Sequence, residues 1–496
     1  MKNYHVLWPK FCIFLFGVKP RCPIFTGRVL IFPQEGEFMS KFALIHIGTH
    51  EVYGLCYVAG EIAKGGHSFR WFDGEDADAI SAIADWTPDF ICFSPLSAFF
   101  SSATKLSTKI KKILPSARSV FGGIHVSAVP EIVNLSEVDH VVIGPVDGTI
   151  EKIIKSKRST IIKGQALSPG HIRPAKREYY EQIPRIGTRH GKMIMSHFGC
   201  VYNCSYCATH RIREAYKPED YRRHWLSRRP LEDIIDEAGL FLECPTTEVE
   251  LSDDDMLYGS DIETWLTAFA AEWKDKIGLP LVGNVTPLSV IRASDATMET
   301  LSNLVCNVCV GLQSSENETL RLFNRQFQTK KVFKEAVDRL HAFNIPVKID
   351  IIIGNPVKDS IADAIETIKF AQTIGTKKVI ATIFPLMLYP GTELTAWCID
   401  HDIPLNEECQ FNWYGGVGSV KFDTDTAKRL RNLTKLGSFF IEHNIPEYWM
   451  RALIEVNIDN EAAHLIAKCN FQDSLCHHGK SDQEIREILA QVNLYY

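Results

Sequence analysis

The sequence predicts an α/β protein with two successive parallel sheets: an N-terminal flavodoxin-like (Rossmann-type) domain, a partial (β/α)6 barrel of the TIM type, and a mostly helical C-terminal region. Three observations lead there. Short β-branched runs alternate with amphipathic stretches from residue 42 to residue 385, the pattern of helix-covered parallel sheets. The alternation is interrupted once, by a proline-containing stretch at 165–190. The length, 496 residues, suits about three domains of ~100–200 residues each.

Residues 1–38 show no helical or strand period. The apolar run at 11–18 falls short of the ~20 residues that span a bilayer. Lys19, Pro20 and Arg21 follow it without a small-residue cleavage site, so it is not read as a secretory signal. Met39, just before the first good strand, is the expected natural start, with 1–38 a non-native or disordered extension. The first domain, 39–164, has strand candidates at 42–48, 67–73, 89–95, 119–123, 140–144 and 160–164. In such a sheet, ligands bind outside the carboxyl ends of the strands. Residues 165–190, with Pro169, Pro174 and Pro184, read as a linker. The barrel, 191–395, has strands expected at 192–198, 247–253, 279–285, 305–313, 346–354 and 377–385, with reactive groups on the loops after them. Residues 396–496 are polar and helical in pattern, a substrate or cap region.

Apolar residues at 45 %, charged residues at 23 % and aromatics at 10 % describe a folded globular chain. A net charge of −6 gives no general attraction to nucleic acid or anionic membrane. Seven basic against three acidic residues at 211–230 read as a solvated face beside the site. Fourteen cysteines are too sparse for a disulfide scaffold and read as reduced thiols, some available for metal.

Cys200, Cys204 and Cys207 stand in the loop after the first barrel strand with the spacing C-x3-C-x2-C. Three thiolates so close together can hold three irons of a four-iron cluster and leave the fourth iron open. The alternative is a zinc site completed by His197 or His210; a disulfide would leave one of the three cysteines unpaired. Cys306 and Cys309 also make C-x2-C, but strand alternation sends them to opposite faces, so both read as small apolar residues. Cys469, Cys476, His477 and His478 lie in a polar tail and are not read as a second cluster.

With Tyr206 directly before its last cysteine, the loop resembles that of the radical S-adenosylmethionine (radical SAM) enzymes, and the resemblance covers about residues 190–395. It implies that S-adenosylmethionine chelates the open iron and that reductive cleavage yields a 5′-deoxyadenosyl radical. Asp253 and Asp254, after the second strand, resemble the acidic strand end that holds the methionine ammonium in the cobalamin-linked branch, whereas Asp255 reads as a solvated turn residue. Gln313 resembles a ribose or carboxylate contact, and Gly354 lies in a stretch resembling the backbone that meets the adenine. The run Pro385 to Thr392 resembles the same branch.

The first domain resembles cobalamin-binding domains in two of three loops, at Ser94-Pro95-Leu96 and at Gly122-Gly123, where small residues let a corrin and its nucleotide tail approach the backbone. The third loop departs: no Asp stands two residues before His50, and Gly54 is one residue late for the Asp-x-His-x-x-Gly frame, so His50 reads as a loop residue and not as a cobalt ligand. Together the resemblances imply a cytoplasmic enzyme with a 4Fe-4S cluster, S-adenosylmethionine and cobalamin, served by a reducing partner such as flavodoxin or ferredoxin. No nucleic acid and no membrane span are expected. The expected reaction is methyl transfer to an unactivated carbon, or phosphorus, of a small-molecule or natural-product substrate. The alternatives are radical cyclisation or rearrangement without methyl transfer, and a non-catalytic cobalamin or iron-sulfur sensor.

Overall fold

The computed structural model describes residues 39–374, 379–406, 418–458 and 483; the expectations for 1–38 and for Cys469 to His478 lie outside them. Its strands form two six-stranded parallel sheets. The first contains β1 (Lys41–His46), β2 (Ser68–Asp73), β3 (Phe90–Phe93), β4 (Arg118–Phe121), β5 (His140–Ile143) and β6 (Thr160–Lys163) in the order β2-β1-β3-β4-β5-β6. That is the flavodoxin-like order with one strand added. The second contains β7 (Gly191–Ile194), β8 (Glu248–Leu251), β9 (Leu281–Val285), β10 (Val305–Gln313), β11 (Val347–Ile353) and β12 (Val379–Pro385), in chain order from one edge to the other. It is a half barrel, as expected.

Period-two alternation assigns the residues of each strand to faces. In the first sheet, Ala43, Ile45, Ile91, Phe93 and Phe121 fill one core, while Phe42, Leu44, Phe90, Cys92 and Val120 face the other side. In the second sheet, Val347, Ile349, Ile351 and Ile353 of β11 are buried outward, and Lys348, Asp350 and Ile352 are half-exposed on the concave face. The helices Ser360–Ile374 and Thr424–Glu442 cover this edge of the sheet, with Leu433, Leu436 and Phe440 fully buried. Three of the six barrel strands, β7, β8 and β11, end before their apolar runs do; in β7 and β8 this is because Ser196 and Asp253 leave the ladder to bond one another.

The stretch read as a linker carries two short helices, Lys176–Gln182 and Pro184–Gly187. Tyr179, Tyr180, Ile183 and Ile186 form their apolar stripe, and prolines on either side obscure it in the sequence. This stripe joins one face of the first sheet to Ile194, Val249 and Leu251 in a single continuous core. Beside it lies a buried charge network. Glu237 accepts hydrogen bonds from Arg229 (2.7 Å) and Tyr53 (3.1 Å) and pairs with Lys176 at 3.1 Å. Glu51, from the loop after β1, accepts from the Met193 amide at 3.0 Å and from the Tyr180 hydroxyl, and lies 4.0 Å from Lys176. Two cations thus meet two carboxylates in a nearly dry setting.

Removing one partner of such a group strands the other charges, at a cost of about 3–5 kcal/mol. Glu237→Ala is therefore expected to lower the urea midpoint of both sheets together, and Glu237→Gln to do so less. An unchanged midpoint in the alanine variant would contradict the network's role.

Candidate two-cofactor site

The cysteine loop leaves β7 and is fixed from several sides. Ser205 donates its amide to Phe323 O (3.2 Å) and its hydroxyl to Leu322 O, while Leu394 N donates to Ser205 O at 2.9 Å. The Tyr221 hydroxyl accepts from Cys200 N at 3.3 Å and donates to Cys200 O at 3.1 Å. Each sulfur has a polar neighbour. The Tyr202 amide lies 3.4 Å from Cys200 Sγ, Arg325 Nη1 3.3 Å from Cys204 Sγ, and Thr209 Oγ1 3.3 Å from Cys207 Sγ. Burial pushes the Cys200 thiol up to about 12, with the Asp254 charge adding, and burial raises Cys207 as well. Thiolates in this loop therefore need nearby positive charge. Arg325, buried and also bonded to Tyr206 Oη (3.1 Å) and Gly311 O (3.1 Å), supplies part of it.

The donor set fits a cluster better than a single ion. Among the described residues, His210, Glu214 and Glu393 are the only three or more metal-ligating side chains whose ligand atoms gather within 4.8 Å, so the cysteine sulfurs do not converge on one ion. Neither histidine of the zinc alternative joins them: His197 Nδ1 pairs with Asp253 at 3.0 Å, and His210 faces Glu393 at 4.0 Å.

The strand ends around the loop differ in their freedom. Asp253 is fully buried and accepts from the amides of Ser196 (2.7 Å) and His197 (3.2 Å). Burial alone would raise its carboxyl, but the His197 imidazole and the Ser196 bonds hold it below the usual range. It braces β7 against β8. Asp254 carries no hydrogen bond or ion pair among the described residues, is solvent-accessible, and interacts electrostatically with Cys200 and Cys207. Burial of its surroundings, with Asp253 and Asp255 adding and His197 opposing, pushes this carboxyl up to about 6. Asp255 is not the solvated residue expected. It is 5 % exposed and accepts from Thr286 and Ser289 hydroxyls at 2.8 Å each, fixing the start of the helix Pro287–Arg292.

Gln313 ends β10 at a bulge with φ 60°, a left-handed conformation in a residue with a Cβ. Arg325 links it to the cluster loop through Gly311 O. Gly354, φ 77°, follows β11. Its neighbour Asn355 donates to Asp363 at 2.9 Å, which in turn accepts from Ser314 at 3.2 Å, so the loops after β10 and β11 share one buried carboxylate. Cys306 and Cys309 do not share a partner, but neither is merely apolar: the first thiol donates to Leu281 O at 3.2 Å, the second to Asp350 at 3.1 Å.

At the carboxyl ends of β3, β4 and β5 lies a cavity with an empty volume of about 1150 Å³ counting its open mouth. Ser94, Gly122, Gly123, Gly144 and Asp147 line it from the first sheet; Phe198, Ile212 and Trp225 line it from the segment that carries the cysteine loop. Gly123 takes φ 90°, and a Cβ there would meet Ser94 Oγ at 2.5 Å, whereas one on Gly122 would meet nothing closer than 3.7 Å. The chain itself does not demand glycine at 122; a ligand packed against the backbone would. Leu96, 37 % exposed, does not line this cavity. The loop after β1 is held by Arg185 and Arg189, through the carbonyls of Gly48 (2.8 Å) and Thr49, and by the Tyr179 hydroxyl on Val52 N (3.2 Å). His50 bonds Thr49 Oγ1 at 3.1 Å, and His125 is buried with Nδ1 2.8 Å from Ser97 Oγ.

A half barrel with a three-cysteine loop thus stands beside a small-residue cradle on a flavodoxin-like sheet. Residues 194–384 match the model of the radical SAM superfamily, and residues 47–154 match that of the B12 binding domain. The chain therefore carries a radical SAM domain and a B12 binding domain, and its cofactors are a 4Fe-4S cluster, S-adenosylmethionine and cobalamin. No curated protein matches it significantly. Solved structures that share the fold include two radical S-adenosylmethionine enzymes. One is the radical S-adenosylmethionine methyltransferase TsrM from Kitasatospora setae, with tryptophan substrate and a SAM analogue bound, at 15 % identity over 73 % of this chain and 76 % of that one, TM-score 0.57. The other is the cobalamin-dependent S-adenosylmethionine radical enzyme OxsB, with aqua-cobalamin and S-adenosylmethionine bound, at 12 % identity over 92 % and 79 %, TM-score 0.59.

Sequence reasoning missed Arg325 and Asp363, whose roles arise from contacts between distant loops. Two predictions follow from these contacts. Arg325→Met is expected to lower the midpoint potential of the cluster and its retention of iron, because it removes the one cation bonded to a ligand sulfur among the described residues; an unshifted potential would contradict that. No protein nitrogen is expected on cobalt, so the electron paramagnetic resonance spectrum of the cobalt(II) protein should lack nitrogen splitting from a histidine. Splitting that disappears in His50→Ala or His125→Ala would refute this.

Proposed function

We propose that the chain is a cobalamin-dependent radical methyltransferase acting on an unactivated carbon, or phosphorus, of a small molecule bound between the barrel and the cradle. The observation that carries this reading is the cavity lined jointly by the loops of the first sheet and by the segment bearing the cysteines. One substrate-sized space there adjoins both halves of the molecule. When bound, the cluster with S-adenosylmethionine supplies a radical that takes hydrogen, and the corrin supplies the methyl group.

The residues divide the work. Cys200, Cys204 and Cys207 hold the cluster, and Tyr206 with Arg325 fixes the loop. Asp254, the free carboxylate of the acidic strand end, takes the ammonium of S-adenosylmethionine, while Asp253 positions the loop beneath it. Gln313 and the Gly354 backbone orient the rest of that molecule. Ser94, Gly122 and Gly123 receive the corrin's tail, and Leu96 packs at its rim. The half-exposed polar residues of the concave face, among them Glu250, Asn284 and Asp350, face the substrate. A small reducing protein such as flavodoxin or ferredoxin serves the cluster.

Anaerobic reconstitution with cobalamin and S-adenosylmethionine, followed by product analysis, tests this. Both S-adenosylhomocysteine and 5′-deoxyadenosine are expected, and Asp254→Asn should reduce both about 10- to 100-fold by weakening the ammonium contact. The nucleoside alone would mean cyclisation or rearrangement, and neither product a sensor; each would overturn the methyltransferase reading.

A further inference from the structure

His210 lies on the helix Thr209–Ala215, directly after the cysteine loop, and Glu214 follows on the same face one turn later. Glu393 opens the helix Glu393–Asp400 beyond β12. One ligand atom from each of the three lies within 4.8 Å of the others. His210 is 3 % exposed, yet neither of its ring nitrogens has a hydrogen-bond partner. Buried imidazoles are ordinarily bonded, so two orphan nitrogens in one ring demand an explanation. An ion pair does not supply it, because Nε2 approaches Glu393 Oε1 only to 4.0 Å.

The carboxylates are oriented as metal ligands usually are, by bonds to their outer oxygens. Arg211 holds Glu214 Oε2 at 2.8 Å, and Asn324 holds Glu393 Oε2 at 3.0 Å. Glu393 Oε1, the oxygen that faces His210, has no hydrogen bond among the described residues.

We propose that His210, Glu214 and Glu393 bind a divalent transition-metal ion, distinct from the cluster. One imidazole and two carboxylates without a thiolate suit zinc, with solvent as fourth ligand. Both carboxylates are at the surface, Glu393 being 48 % exposed, so the ion enters from water. Its place in the fold gives it a task. β7 and β12 are the two unpaired edges of the half barrel, and the ion joins the segments that leave them. It reinforces the Leu394 to Ser205 bond (2.9 Å) that already ties the cysteine loop to that side. The ion is a clip and takes no part in radical chemistry.

The test uses the full chain with its cluster loaded, dialysed anaerobically against zinc, with zinc and iron measured together. One zinc per chain is expected above the iron content, with a raised thermal midpoint. His210→Gln and Glu393→Gln should each weaken zinc binding at least about tenfold while iron stays constant. Glu393→Gln changes a surface side chain, so a folding defect in the histidine variant leaves the test intact. Absence of bound zinc, equal affinity in wild type and Glu393→Gln, or zinc that enters only as iron leaves would overturn the proposal.

Discussion

The arrangement depends on Glu237. Its two oxygens receive Tyr53 from the helix after β1, Lys176 from the connecting segment and Arg229 from the barrel, so one carboxylate ties three parts of the chain together. Burying charge is costly, and here two carboxylates offset two cations in one neutral group. A purely apolar contact would tolerate sliding; hydrogen-bonded charges accept one geometry. That geometry brings the carboxyl ends of the first sheet's strands and the segment after β7 to one cavity.

From that constraint the chemistry of the loops follows. Packing the cysteine loop against Tyr221, Trp225 and Phe323 removes water and raises the Cys200 and Cys207 thiols. The amide of Tyr202 works in the opposite direction at Cys200, and Arg325 places a guanidinium beside Cys204 Sγ. The balance yields a pocket where thiolates are held by positive charge and not by solvent, as a cluster requires. The same burial drives Asp254 upward, and a cation beside it would restore its charge; an ammonium group meets that need.

Much of this was legible because the informative groups are local. Three cysteines within eight residues, glycine pairs at strand ends and period-two apolar runs each announce themselves over a short stretch. What remained hidden depends on contacts across the fold. Arg325 lies 121 residues from the sulfur it bonds. Asp253, Asp254 and Asp255 are identical in the sequence and differ only in where the turn after β8 points them: one braces β7, one is free, one secures a helix. The helices at 176–187 were read as a linker because prolines broke a stripe too short to show a period. His210 and Glu393 meet only because the segments leaving β7 and β12 come together, as the Leu394 to Ser205 bond shows.

The central claim is that cobalt and cluster face one cavity in one chain. Electron paramagnetic resonance of the cobalt(II) protein with the cluster reduced tests it directly, since two paramagnets in the same cavity couple. The account predicts a cobalt(II) signal split or relaxed faster when the cluster is reduced, and restored to its isolated form in Cys204→Ala. A cobalt(II) spectrum and relaxation rate indifferent to the cluster's oxidation state would place the two cofactors apart and contradict the account.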